Sequence, residues 1–334
     1  MSFLRLFLIF AVPGVLLINV LYLSVHWTRD LSLEQLLPTY ASEASTFVEI
    51  PSARVHVRDE GASAHDTPPI VMLHGLGDSL HTFEPWVDRL ESDFRVVRLD
   101  LPGFGLTGPF ADDETDYGMA NHLRFLRDTL DALDIERIDL LGHSLGGWYA
   151  WRFALAYPER VRRLVLVAAA GYPEHVGDTL EQARSAPFLR SLLRNVTPRN
   201  LIEQGLRDAI ADDRIITDAM IDQRYDLLLR ADNRDALALR LDVDWDDAHL
   251  RIPEITTPTL LMWGTEDHWI PSAAADNFAA DLPDATLVRY DGIGHMPMLE
   301  APDRSAEDLR RFLLADAAVA NAAPVIATPE TDAR

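Results

Sequence analysis

The sequence contains no cysteine and no lysine. Without a thiol there is no disulfide, no thiolate nucleophile and no thiolate metal site, and the redox compartment stays open. Without lysine, all 30 basic residues are arginine, set against 53 aspartates and glutamates. The formal net charge of −23 repels polyanions, which argues against a nucleic-acid partner. The acid excess fits either salt adaptation or an arginine-rich coding bias. Several signature patterns are missing too. There is no H-E-x-x-H, no calcium-loop and no P-loop pattern, and Gly75 and Gly77 supply G-x-G without the spacing of a dinucleotide fingerprint. No metal or organic cofactor is implied.

What is present is a chain of 334 residues with a hydrophobic fraction of 48%, enough for one large core. Its organising stretch runs from Ile138 to Trp148. An apolar run climbs to Gly142-His143-Ser144-Leu145-Gly146, and residues of good helix propensity follow. This is the G-x-S-x-G pattern of a nucleophile elbow, in which a strand turns sharply into a helix with serine at a strained apex. Gly142 and Gly146 are needed because a side chain at either place would meet the neighbouring strand or helix. Serine is a weak nucleophile at neutral pH, so the reading requires a histidine base and an acid to orient it.

Residues Leu6 to Val25 carry no charge and have the length of a bilayer-spanning helix. Residues 1–29 are therefore expected to form a single-pass membrane anchor, with the catalytic domain outside the cytoplasm. Residues 30–46 read as a polar spacer. Phe47–Ile50 and Arg54–Arg58 alternate and predict an antiparallel hairpin at a sheet edge. Buried-type strands follow at Ile70–Leu73, Arg95–Leu99, Ile138–Leu141 and Leu164–Val167, with helix-period segments between them. From about Tyr172 to Ile252 the pattern turns mainly helical. Strands resume at Thr259–Trp263 and Thr286–Tyr290, a helix spans about Asp303 to Ala315, and residues 318–334 read as a disordered tail. Strand alternating with helix predicts a mostly parallel sheet covered on both faces. Residues 47–171 and 253–317 then form the core, and 172–252 an inserted helical cap. Phe188, Leu189, Leu192 and Leu193 share one face of a cap helix, flanked by Arg190 and Arg194.

With two later motifs in place, Trp263-Gly264-Thr265-Glu266-Asp267-His268-Trp269-Ile270-Pro271 and Gly292-Ile293-Gly294-His295-Met296-Pro297, the chain resembles the α/β-hydrolase family over about Phe47 to Ala315. The order nucleophile, acid, histidine is the one expected there. The first segment is similar to the family's G-x-x-D-x-x-x-P and singles out Asp267 as the acid, with Glu266 as its competitor. His295 stands where the family's base stands. The resemblance implies Ser144, Asp267 and His295 as catalytic residues, and backbone N–H groups of Leu76 and Leu145 as the oxyanion hole. His74 is expected to fix a loop, His143 to point away from the chemistry, and the Asp100–Gly105 turn to support the site from behind.

Three functions compete on this reading. The first is a serine hydrolase of carboxylic esters, of medium or long acyl chain, similar to membrane-anchored monoacylglycerol-lipase-like hydrolases. Its partners would be a small-molecule or lipid ester and the membrane. The second is a C–C bond hydrolase of ring-cleavage products, although such enzymes often carry Asn where this chain has His143. The third is a non-catalytic ligand-binding protein on a retired hydrolase fold. No member of the Ser/Asp/His set is missing, which counts against it.

Overall fold

A computed structural model describes residues 27–62, 67–111, 116–173, 194–240 and 246–315. Eight strands form one sheet: β1 (Ser45–Ile50), β2 (Ala53–Glu60), β3 (Ile70–Leu73), β4 (Val96–Leu99), β5 (Ile138–His143), β6 (Val161–Val167), β7 (Thr259–Gly264) and β8 (Ala285–Tyr290). Their spatial order is β1-β2-β4-β3-β5-β6-β7-β8. β1 pairs antiparallel with β2, and β2 with β4; every later pairing is parallel. The hairpin expected at the edge is therefore there, and the buried strands lie where the apolar runs place them.

Period-two alternation builds a core on each side of the sheet. Val71, Leu73, Leu140, Leu164, Leu166 and Leu261 face one side, where they meet Phe125 and Leu126 of α3 (Met119–Ala132), Trp151 and Phe153 of α4 (Leu145–Ala156), and Phe278 of α8 (Ala273–Asp281). Ile70, Met72, Leu141, Val165 and Leu260 face the other. They pack on Trp86 and Leu90 of α2 (Glu84–Leu90) and on Leu309 and Leu313 of α9 (Pro302–Leu313). Trp86 is fully buried, and its indole N–H donates to Ser305 Oγ at 2.8 Å, which satisfies the one polar atom of that ring.

Between β6 and β7 the described residues are helical: α5 (Arg199–Ala209), α6 (Asp218–Leu228) and α7 (Asn233–Arg240), with short 3-10 turns. The helix face carrying Phe188, Leu189, Leu192 and Leu193 lies outside the described residues, as does the tail from 318 onward.

Two expectations about the amino-terminal part are corrected. Residues 30–46 are not a plain polar spacer, because α1 (Leu33–Tyr40) forms within them. Ser32 caps it, accepting from the Gln35 N–H while Gln35 Oε1 accepts from the Ser32 N–H, a reciprocal box. Leu36 and Tyr40, four apart on one face, are buried against Leu106 and Leu227. Ahead of it, Leu31 exchanges backbone hydrogen bonds with Leu229 (2.7 Å) and Ala231 (2.9 Å), and Arg234 pairs with Asp30 at 2.5 Å. The membrane localisation is the second correction. Among the described residues no helix is long and apolar enough to cross a membrane. Residues Leu6 to Val25, on which that expectation rested, lie outside the described residues.

Candidate active site

Ser144 sits between β5 and α4 with φ 53° and ψ −115°, a left-handed conformation that a non-glycine residue rarely holds. Such strain costs on the order of 1–3 kcal/mol and persists only where the surroundings over-determine it. Here they do. The Ser144 N–H donates to the Val167 carbonyl at 3.0 Å, and the Ser144 carbonyl accepts from Trp148 and Ala170 at 3.1 Å each. A Cβ on Gly142 would stand 2.3 Å from the Gly146 carbonyl oxygen, and one on Gly146 would stand 2.2 Å from that of Leu73. Both neighbours are backbone and cannot swing aside. Gly147 belongs to the same device, since its Cβ would lie 2.4 Å from that of Ala169.

The candidate acid and base are joined. His295 Nδ1 and Asp267 Oδ2 are 2.8 Å apart, and both side chains are buried. Asp267 Oδ1 accepts the backbone N–H groups of Trp269 and Ile270 at 2.9 Å each, so both carboxylate oxygens are engaged. Among the described residues the opposite ring atom, His295 Nε2, is buried without a hydrogen-bond partner. The Trp269 ring stacks on the imidazole, with centroids 5.7 Å apart and an interplanar angle of 23°. Glu266 makes only a backbone contact with this loop, its N–H donating to the Ile293 carbonyl at 2.9 Å.

On the other side of the elbow, the loop after β3 passes close. A Cβ on Gly75 would be 3.2 Å from Ser144 Cβ and 3.0 Å from His143 Nδ1, so glycine is what lets this loop pass so near the elbow. The Leu145 N–H stands at the first position of α4 and has no carbonyl within the helix to receive it. His74 holds the loop. Its Nε2 accepts the Leu101 N–H at 2.9 Å, which places the ring proton on Nδ1, and Nδ1 donates to the Gly75 carbonyl at 2.8 Å. Burial keeps this ring neutral by lowering its pKa, against the opposing field of Asp100. Asp100 in turn accepts the N–H groups of Leu80 and Leu106 at 2.8 Å and meets His56 Nδ1 at 2.7 Å. Desolvation alone would raise the Asp100 pKa, but its neighbours, His56 with its hydrogen bond foremost, outweigh it and the carboxyl is held well below its ordinary range.

Two residues shape the histidine loop: His143, expected to point elsewhere, and Glu300, which sequence reasoning did not single out. His143 does not point away from the site: its Nε2 lies 3.0 Å from the His295 carbonyl oxygen, and the two rings stand 4.7 Å apart. Burial, followed by the neighbouring His295, drives its pKa well below the ordinary histidine value. Glu300 gathers the backbone N–H groups of Gly294 (3.0 Å), Met296 (3.2 Å) and Ala211 (2.8 Å), bracketing His295 from both sides. An acid one turn past the histidine loop was the available signal for it.

One residue beyond Leu76, a small hollow opens between the loop and the inter-strand helices, lined by Gly77, Asp78, Phe104, Arg224, Leu227 and Asn233. Arg224 and Asp78 are both buried there and pair at 3.2 Å, across the junction of α6 and the loop.

The fold and this corner place the molecule in a class, and the comparisons agree. Residues 68–302 match the α/β hydrolase fold family, and the chain belongs to it. A 2-hydroxy-6-oxononadienedioate/2-hydroxy-6-oxononatrienedioate hydrolase from Cupriavidus pinatubonensis is 31% identical over 258 residues, covering 74% of this chain and 86% of its own. Among solved structures, a putative lipase from Acinetobacter baumannii AYE is similar with a TM-score of 0.73 and 25% identity, over 87% of this chain and 99% of that one. A meta-cleavage product hydrolase from Pseudomonas fluorescens IP01 has a TM-score of 0.70 at 22% identity, over 81% and 98%, and shares the fold. These relatives carry the family; they do not carry the expected likeness to membrane-anchored monoacylglycerol-lipase-like hydrolases.

Proposed function

We propose that the protein is a serine hydrolase in which Ser144 attacks a carbonyl carbon. His295 takes the serine proton through Nε2, and Asp267 fixes the imidazole by holding Nδ1–H. The N–H groups of Leu76 and Leu145 receive the charge that develops on the carbonyl oxygen. The observation that carries this reading is the His295–Asp267 pair at 2.8 Å, with Nε2 engaged by no other group among the described residues, beside a strained elbow. Collapse of the tetrahedral adduct breaks the bond from the carbonyl carbon to the leaving group, which takes the proton from the imidazolium. Water then repeats the sequence on the acyl-enzyme, releases the acid and returns the proton to Ser144.

For the bond itself we infer a C–C bond in a ring-cleavage product, a 2-hydroxy-6-oxo dienoic acid. Support comes from the Cupriavidus relative, whose name states that substrate class, at 31% identity over three-quarters of the chain. Carbon leaves poorly unless its electron pair is delocalised, and a conjugated dienol acid supplies that delocalisation. The helices between β6 and β7 act in this reading as a cap over the substrate. Carboxylic ester hydrolysis is the second reading, and one observation favours it. A substrate carboxylate calls for a cation, yet the buried Arg224 beside the loop is already matched by Asp78. A neutral acyl group fits that balance better.

One panel separates the two. A 2-hydroxy-6-oxo dienoic acid, followed by loss of its absorbance, is compared with p-nitrophenyl esters of increasing chain length. We expect kcat/KM for the dienoic acid to exceed the best ester by tenfold or more, and Ser144→Ala to abolish both. A larger value on the esters moves the conclusion to ester hydrolysis. Turnover that survives Ser144→Ala overturns the serine assignment.

A further inference from the structure

His143 lies immediately before the nucleophile, at the end of β5, yet its side chain reaches the loop that carries the base. Its Nε2 is 3.0 Å from the His295 carbonyl oxygen. A carbonyl only accepts, so Nε2 carries the ring proton and donates it, and Nδ1 keeps a lone pair. Nδ1 is buried and has no hydrogen-bond partner among the described residues. It faces Gly75, where even a Cβ would come within 3.0 Å. The ring is thus boxed on one side by the loop that carries Leu76 and tethered on the other to the main chain of His295. Asp267 controls the His295 ring; nothing in that contact controls where the His295 backbone stands.

We propose that His143 is a positioning residue that sets the separation of nucleophile and base. It acts as a strut one residue long: its backbone is bonded to Ser144, and its N–H is bonded to the residue that must take the Ser144 proton. Proton transfer needs the two heavy atoms within hydrogen-bond reach, and displacement by about 1 Å costs on the order of 100-fold. Burial, by lowering its pKa, favours the neutral ring, and the carbonyl at Nε2 selects the tautomer with the proton there. The distance from Cβ to the donor also matters. A glutamine places its amide N–H near where Nε2 stands, an asparagine falls short, and a phenylalanine fills the space without donating.

The inference rests on Ser144 being the nucleophile, so the test is chosen to tell the two apart. The rate of covalent labelling by a fluorophosphonate is measured for wild type, His143→Gln, His143→Phe, His143→Asn and Ser144→Ala, with kcat and KM on whichever substrate the panel identifies. Thermal melting of each variant shows that it is folded. We expect His143→Phe and His143→Asn to label roughly 10- to 100-fold more slowly than wild type, with kcat falling alongside and KM little changed. His143→Gln should recover most of the rate. Equal rates for the Gln and Phe variants, both folded, would overturn the strut, and so would a loss confined to KM. A wild-type enzyme that does not label, or a Ser144→Ala variant that does, refutes the nucleophile instead.

Discussion

Asp267→Asn exchanges one atom and tests the acid's role with the fold intact. The carboxylate makes three hydrogen bonds in fixed directions: Oδ1 accepts from the Trp269 and Ile270 N–H groups at 2.9 Å, and Oδ2 meets His295 Nδ1 at 2.8 Å. An amide has one oxygen and one NH2, and only one orientation suits the site. The oxygen must face the two backbone donors, because the reverse would set NH2 against N–H on both. The NH2 then points at His295 Nδ1 and makes it an acceptor. The ring proton moves to Nε2, the atom that should receive the proton of Ser144. The base is lost although every heavy atom stays where it was. Wrong-tautomer variants of such triads lose about 10⁴ in kcat, which corresponds to about 5.5 kcal/mol of barrier. Stopped-flow or steady-state kcat should fall by that order while the melting temperature stays within a few degrees. Glu266→Gln should change kcat less than about threefold, because Glu266 holds the loop through its backbone. A variant at Asp267 that keeps a tenth of wild-type kcat, or a larger loss at Glu266, would refute the argument.

Three further outcomes follow from the packing and the charges. Asp78→Asn should lower the melting temperature, because it leaves buried Arg224 without its counter-ion; it should also raise kcat/KM for a carboxylate-bearing substrate relative to a neutral ester of similar size. An unchanged ratio would show that the pair does not face the substrate. Gly146→Ala should fail to yield folded protein, since its Cβ would meet the backbone oxygens of Leu73 and His74 at 2.2 and 2.6 Å, whereas Gly75→Ala should fold and lose activity; a folded, fully active Gly146→Ala would contradict the elbow geometry. Stability should also fall as pH drops below about 6.5, the ordinary histidine value. Burial, the largest cause in each case, lowers the pKa of His74, His81, His122 and His143, so the unfolded chain binds protons there that the native state refuses. Each contributes a slope of up to about 1.4 kcal/mol per pH unit. Burial pushes Asp139 up to about 6, and this group opposes the trend between there and its ordinary carboxyl range. The urea midpoint at pH 5.5 should lie below that at pH 7.5; an equal or higher midpoint would refute the account.

The sequence by itself determined a good deal. Continuous apolar runs of strand length placed the buried strands, because each must feed two opposite cores, and alternation placed the edge hairpin. The pattern around Ser144 announced an elbow, because only glycine lets backbone pass backbone at Gly142 and Gly146. Asp267 and His295 were legible through family motifs rather than through periodicity, and the structure brings them to 2.8 Å. Tertiary structure decided the rest. Leu36 and Tyr40 looked like residues of a polar spacer, since about two turns of local sequence do not reveal that Leu106 and Leu227 wait to cover them. His143 and Glu300 gained their places from backbone groups of the His295 loop, and a hydrogen bond to a main-chain atom leaves no trace in the partner's side-chain identity. Arg224 and Asp78 are 146 positions apart and meet only because the helices between β6 and β7 fold back over the loop after β3. Local chemistry is written in the order of residues; charge pairing across a junction is written only in the packing.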